Sequence, residues 1–157
     1  MAIPKKAELA LQLGRSFTEM RSQVSFFIQG RLKESGSDMS VEMLEIMACL
    51  WRKDGINQQE IALITVKDKS SITHLIHQLV RRSLVTRVAD ERDRRNRLIY
   101  LTPAGRQLRE NLYPWVLEIY NQAAKDIQYE EIERCLKLAR SMNEQLQAMR
   151  CNDRIKH

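Results

Sequence analysis

Apolar residues recur three and four positions apart from Lys6 to Leu32, at Leu9, Leu13, Phe17, Met20, Val24, Phe27 and Ile28. That spacing predicts one long helix burying a single stripe. The Ser35-Gly36-Ser37-Asp38 cluster ends it, because glycine tolerates left-handed dihedrals and serine or aspartate can cap the next helix. A second helix carries Met43, Leu44, Met47, Leu50 and Trp51 and stops at Asp54-Gly55. Asn57, with Glu60 three residues on, forms a capping pair that opens a short helix through Ile64, and Asp68 caps another that runs to about Arg82. The period then falls to two. Leu84 to Val88 and Leu98 to Leu101 predict a two-stranded hairpin, and the charged run from Ala89 to Asn96 forms its tip. Thr102-Pro103 starts a fifth helix through Leu108, Leu112, Val116, Ile119 and Ala123, which Pro114 is expected to kink. A last helix from Tyr129 to Met149 repeats Ile132, Cys135, Leu136, Ala139, Met142, Leu146 and Met149. The chain is therefore expected to be mainly α, with about six helices and one hairpin.

Composition changes this picture little. A chain of 157 residues, 43% hydrophobic and 29% charged, suits one folded unit or a small domain with added helices. No stretch reaches the roughly 20 apolar residues of a bilayer span, and the first fifteen residues lack a secretory apolar core. Three cysteines, Cys49, Cys135 and Cys151, are too dispersed for a zinc site and odd in number for a disulfide framework. A cytoplasmic protein with no membrane partner and no cofactor is expected.

Charge changes it more. Lys plus Arg exceed Asp plus Glu by 26 to 20, a net of +6. Between Arg81 and Arg97 seven arginines (81, 82, 87, 92, 94, 95, 97) face three acids (90, 91, 93), so +4 of that excess sits in this stretch at the end of the helix and in the hairpin. Every basic residue from Ser70 to Ala124 is Arg or His, although lysine is plentiful elsewhere. Arginine's planar fork binds phosphate through two bonds and fits the narrow minor groove of A·T-rich DNA. The helix before the hairpin carries Ile72, Leu75, Ile76, Leu79 and Val80 on one face and Ser70, His74, His77 and Arg81 on the other. Hydroxyls, imidazoles and a guanidinium are what a helix needs to reach base edges and phosphates in a major groove; a merely solvated face is the alternative for such a pattern.

Leu84-Val85-Thr86-Arg87, Asp90-Glu91-Arg92-Asp93-Arg94-Arg95 and Leu101-Thr102-Pro103-Ala104-Gly105 together resemble the signature of the MarR-type (multiple antibiotic resistance) transcription regulators. The resemblance implies a winged helix-turn-helix lobe over 38–105. It also implies a helical dimerisation region made of 1–34 and 106–157, and a homodimer reading double-stranded DNA at a pseudo-palindromic operator, as a repressor. Carried over by position, it makes Ser70, Ser71, Thr73, His74, His77 and Gln78 major-groove residues, and Arg92, Arg94 and Arg95 minor-groove residues of the wing. Where the family has an acidic residue and a glycine near the end of the reading helix, this chain has Val80 and Ser83. Ser83 must then adopt the left-handed cap itself, at about 1 kcal/mol relative to glycine.

The resemblance further implies release of DNA when a small aromatic or lipophilic effector binds. Phe17, Met20, Met43 and Met47 could line its pocket, since methionine yields to ligands; ordinary core packing explains the same residues. Cys49 precedes Arg52 and Lys53, so a lowered thiol pKa and a redox switch form one alternative. A winged protein-interaction adaptor without operator binding is another. His74 and His77 lack the further ligands of a metal site. No phosphate loop, nucleophile elbow or paired carboxylates are present, so an enzyme is not expected.

Overall fold

A computed structural model describes residues 5–91 and 96–155, with side chains to 150. The chain divides into two units, Met1–Ile119 and Tyr120–His157. In the first, α1 (Lys5–Glu34) precedes α2 (Val41–Arg52), a two-residue strand β1 (Ile56–Asn57), α3 (Gln58–Thr65) and α4 (Lys69–Arg81). Strands β2 (Val85–Ala89) and β3 (Arg97–Leu101) follow, then α5 (Pro103–Ala123), whose last turn enters the second unit; that unit is otherwise α6 (Tyr129–Ile155).

Local chemistry sets most of the boundaries. Gly36 takes φ +70°, and Ser37 N donates to Leu32 O, which closes α1 where the sequence places its end. The cap of α2 falls just beyond the expected cluster: Ser40, not Ser35 to Asp38, accepts from Met43 N at 3.2 Å. Asn57 and Glu60 complete a reciprocal capping box at the start of α3, and the Asp68 carboxylate accepts from Ser71 N at 2.8 Å to start α4. Pro114 lies inside α5 without ending it.

The sheet has three strands, not two. Its order is β1-β3-β2, all antiparallel, with Ile56 opposite Ile99 and Val85 opposite Leu101. Strand β1 is too short to show a period, and only its pairing with β3 makes it a strand. Asp54 fastens this edge: its carboxylate accepts from Gly55 N and Leu101 N and pairs with Arg106. The core gathers Met43, Ile46, Met47 and Leu50 of α2, Ile61 of α3, Ile72, Ile76 and Leu79 of α4, and Ile56, Val85 and Ile99 of the sheet. Gly105 lets α5 approach, because a Cβ there would stand 2.1 Å from Leu84 O. Trp51 Nε1 donates to Gly105 O at 3.0 Å across the same junction.

Candidate nucleic-acid interface

Helix α4 is held by one face and offers the other. Ile72, Ile76 and Leu79 are fully buried, whereas Ser70, Ser71, Thr73, His74 and His77 are exposed and Gln78 is half-buried. The turn before it is tight: Val66, the C-cap of α3, takes φ 54° and ψ 40°, and Lys67 N donates to Ala62 O. A β-branched residue rarely adopts this left-handed conformation. After α4, Ser83 takes φ +56°, the conformation the sequence requires there. Its carbonyl accepts from Thr102 Oγ1 at 2.6 Å, tying the end of α4 to the start of α5.

The polar face is not uniform. Ser71 Oγ donates to the Asp68 carboxylate at 2.6 Å, and this bond, with the Ser71 backbone N–H, holds the Asp68 carboxyl below its usual pKa. Thr73 Oγ1 donates to Lys69 O, and His74 Nε2 lies against Gln78 Nε2. Ser70 and His77 make no side-chain hydrogen bond among the described residues, which leaves them free for an incoming acceptor or donor.

Ion pairs anchor both ends of this helix. On the N-terminal side Glu45 of α2 accepts from Lys67 at 3.1 Å and from Arg21 of α1 at 2.9 Å, joining three elements through one carboxylate. On the C-terminal side Arg82 donates from Nε to Asp38 Oδ1 at 3.3 Å, pairs through Nη2 with Oδ2, and donates from Nη1 to Gln78 O. Arg82 accordingly holds the Asp38 carboxyl below its usual pKa. None of these ion pairs is marked by sequence periodicity; they depend on where α1 and α2 come to rest.

Arg87 is the residue that sequence reasoning left out of the site. It lies on β2 two residues after buried Val85, hence on the same side of the strand, the side packed on α4. With Lys69, Ser70, Thr73, His74 and His77 it lines an open depression of about 650 Å³. Its Nε and Nη2 are shut off from solvent and have no hydrogen-bond partner among the described residues. Leaving such a donor unmatched costs about 1–3 kcal/mol, more when it is charged. Strand alternation was the available signal, since Val85 inward places Arg87 inward as well. The wing arginines Arg92, Arg94 and Arg95 lie outside the described residues.

Residues 39–96, which hold α2, this helix pair and β2 and stop just short of β3, match the MarR family. That segment is similar to the MarR family. Solved structures extend the likeness in fold beyond it. A MarR family transcriptional regulator from Silicibacter pomeroyi superimposes with a TM-score of 0.77 at 17% identity, over 92% of this chain and 97% of that one. BpsR of Bordetella bronchiseptica, whose DNA binding is regulated by 6-hydroxynicotinic acid, gives 0.67 at 22% identity over 84% and 98%. CouR of Rhodococcus jostii RHA1, bound to p-coumaroyl-CoA, gives 0.69 at 25% identity over 82% and 90%. No curated protein sequence matches the chain at a significant level.

The four residues considered for an effector pocket separate. Met43 and Met47 are buried in the core of the lobe; Phe17 and Met20, on α1, are half-buried and exposed. Cys49 is buried beside the same core, with Arg52 Nη2 at 3.9 Å from its sulfur. Desolvation outweighs that neighbour and pushes the thiol pKa up, the reverse of the lowering that Arg52 and Lys53 suggest in sequence. Among the described residues no three His, Cys, Asp or Glu side chains gather as a metal site would require, and no helix is long and apolar enough to cross a membrane.

Proposed function

We propose that the protein is a homodimeric, sequence-specific DNA-binding transcription regulator, acting as a repressor at a pseudo-palindromic operator whose half-sites lie about one helical turn apart. The observation that carries this reading is α4, anchored by three fully buried residues and presenting Ser70, Thr73, His74 and His77 outward. Residues 38–105 act as the reading lobe. Segments 1–34 and 106–157 act as the dimerisation region, where a second copy covers the apolar side chains that one chain leaves exposed on α1 and α6. In this reading Ser70, Ser71, Thr73, His74, His77 and Gln78 face the major groove, Arg92, Arg94 and Arg95 enter the minor groove, the protein is not an enzyme, and it works in the cytoplasm.

The ligands of BpsR and CouR support release of DNA by a small aromatic or lipophilic effector, with Phe17, Met20, Met43 and Met47 as the side chains that would adjust to it. The raised Cys49 thiol pKa argues against the thiol switch as the release mechanism.

A gel shift with the DNA upstream of the protein's own gene, in excess non-specific competitor, tests the reading. A discrete shifted band that survives competition is expected. Shifting that is indifferent to sequence would favour the interaction adaptor instead. His74→Ala or His77→Ala is expected to alter which sequences are preferred, and Arg92→Ala or Arg94→Ala to lower the slope of log K against log salt by roughly one unit per lost phosphate contact.

A further inference from the structure

We propose that Arg87 is an additional phosphate ligand of this interface, anchoring a backbone phosphate of the bound duplex in the depression between α4 and β2. The inference rests on the DNA-binding reading above and adds a contact distinct from the reading-helix and wing residues.

The argument starts from the strand. Val85 is buried in the core and Arg87 follows it on the same side, facing the depression that it lines together with α4. The depression it lines opens beside Ser70, Thr73, His74 and His77, the residues α4 presents outward, with Lys69 on the same rim. Among the described residues no carboxylate lines it. A guanidinium has five N–H donors and no acceptor, and here two of its donor nitrogens are buried with no hydrogen-bond partner among the described residues. The charged groups among the described lining residues, Lys69 and Arg87, are therefore both cations, and the partner that fits is an oxyanion with two acceptor oxygens for arginine's fork.

A backbone phosphate fits because of where the cavity opens. A helix reading the major groove has the sugar-phosphate strand running along its flank, and a wing on the next element crosses that strand. The depression lies between those two elements. Arg87 need only rotate its side chain to exchange two unmatched donors for two charge-assisted bonds. An arginine there would weigh on the free protein and favour the complex, so its removal should relieve one state and weaken the other.

The test is Arg87→Met, which keeps an unbranched apolar stem without the charge. Binding of an operator duplex is followed by fluorescence anisotropy across a salt series, and the free protein is melted under the same buffers. The slope of log K against log salt is expected to fall by about one, the loss of a single phosphate contact, while the melting temperature of the free protein holds or rises. Arg87→Lys, which keeps a point charge and loses the fork, is expected to retain the slope with several-fold weaker binding; it serves if the methionine variant does not fold.

An unchanged slope in Arg87→Met would overturn the inference, as would a drop of several degrees in melting temperature, which would make the guanidinium a structural group holding β2 to α4. Stabilisation of the wild type by free inorganic phosphate, lost in the variant while the slope stays the same, would reassign the cavity to a free anion. Failure of the wild type to bind duplex DNA in a salt-dependent way would instead sink the reading on which the inference rests.

Discussion

The lobe and the long helices obey the same sequence rule with opposite results. Between Met39 and Leu101 apolar residues at helical and strand spacing are buried by one another: α2 buries five of its 12 residues and α4 three of 13. Over its 30 residues α1 buries only Leu32, and no described side chain of α6 is buried, although Ile132, Leu136, Leu146 and Met149 are spaced as an apolar stripe. Periodicity states that a helix has a face to bury; it does not state that its own chain supplies the cover. The lobe is self-sufficient because α2, α3, α4 and the sheet face one another within it. The long helices leave Leu9, Phe26 and Phe27 of α1 and Leu136 and Leu146 of α6 exposed.

The contrast breaks if core substitutions in the two regions behave alike. Ile76→Ala, which empties a fully buried position of α4, is expected to cost about 2–5 kcal/mol, measured by denaturant unfolding and largely independent of protein concentration. Leu136→Asp in α6 is expected to leave the lobe's secondary structure intact and to weaken self-association at least tenfold, read by sedimentation; an unchanged sedimentation coefficient would remove α6 from any interface between copies. Ser83→Gly and Val66→Gly relieve left-handed conformations at the two ends of the reading motif, and each is expected to stabilise by about 1 kcal/mol. A loss of stability in either would show that the turn is held by its side chain.

The smallest effect is a pH dependence confined to the lobe. Asp38 and Asp68 both titrate below their ordinary value of 3.8 in the folded protein, through Arg82 and Ser71 respectively. A depressed carboxyl contributes stability that is present above its unfolded pKa and is lost as pH falls through the folded one. Melting temperature should therefore be flat above about pH 5 on account of these two groups and decline below pH 4. Asp38→Asn should flatten part of that decline; both carboxylates are exposed, so solvent screening keeps the effect small.

Much of the site was legible because its causes are local. The Asn57 and Asp68 caps and the inward stripe of α4 each follow from residues within a few positions of one another, while the left-handed Ser83 follows from the resemblance to a family that has a glycine there. What was missed required distant parts to meet. Strand β1 exists because Ile56 lies against Ile99, the Cys49 thiol is raised because the lobe closes over it, and the anchors of α4 are Glu45 and Asp38, far from it in sequence. Arg87 lay between the two cases: it was counted with the other arginines, while its strand neighbour Val85 already fixed which way it turns.

By itself the sequence determined the order of the six helices and the hairpin, the caps of α3 and α4, the two faces of α4 and the concentration of arginine after it, all consequences of short-range spacing and side-chain type. Only the tertiary structure decided which stripes find cover within the chain, which carboxylates hold the reading helix at its ends and which arginine lines the depression beside it with its donors unmatched. Those outcomes turn on the burial and pairing of residues far apart along the chain. No single segment carries that information.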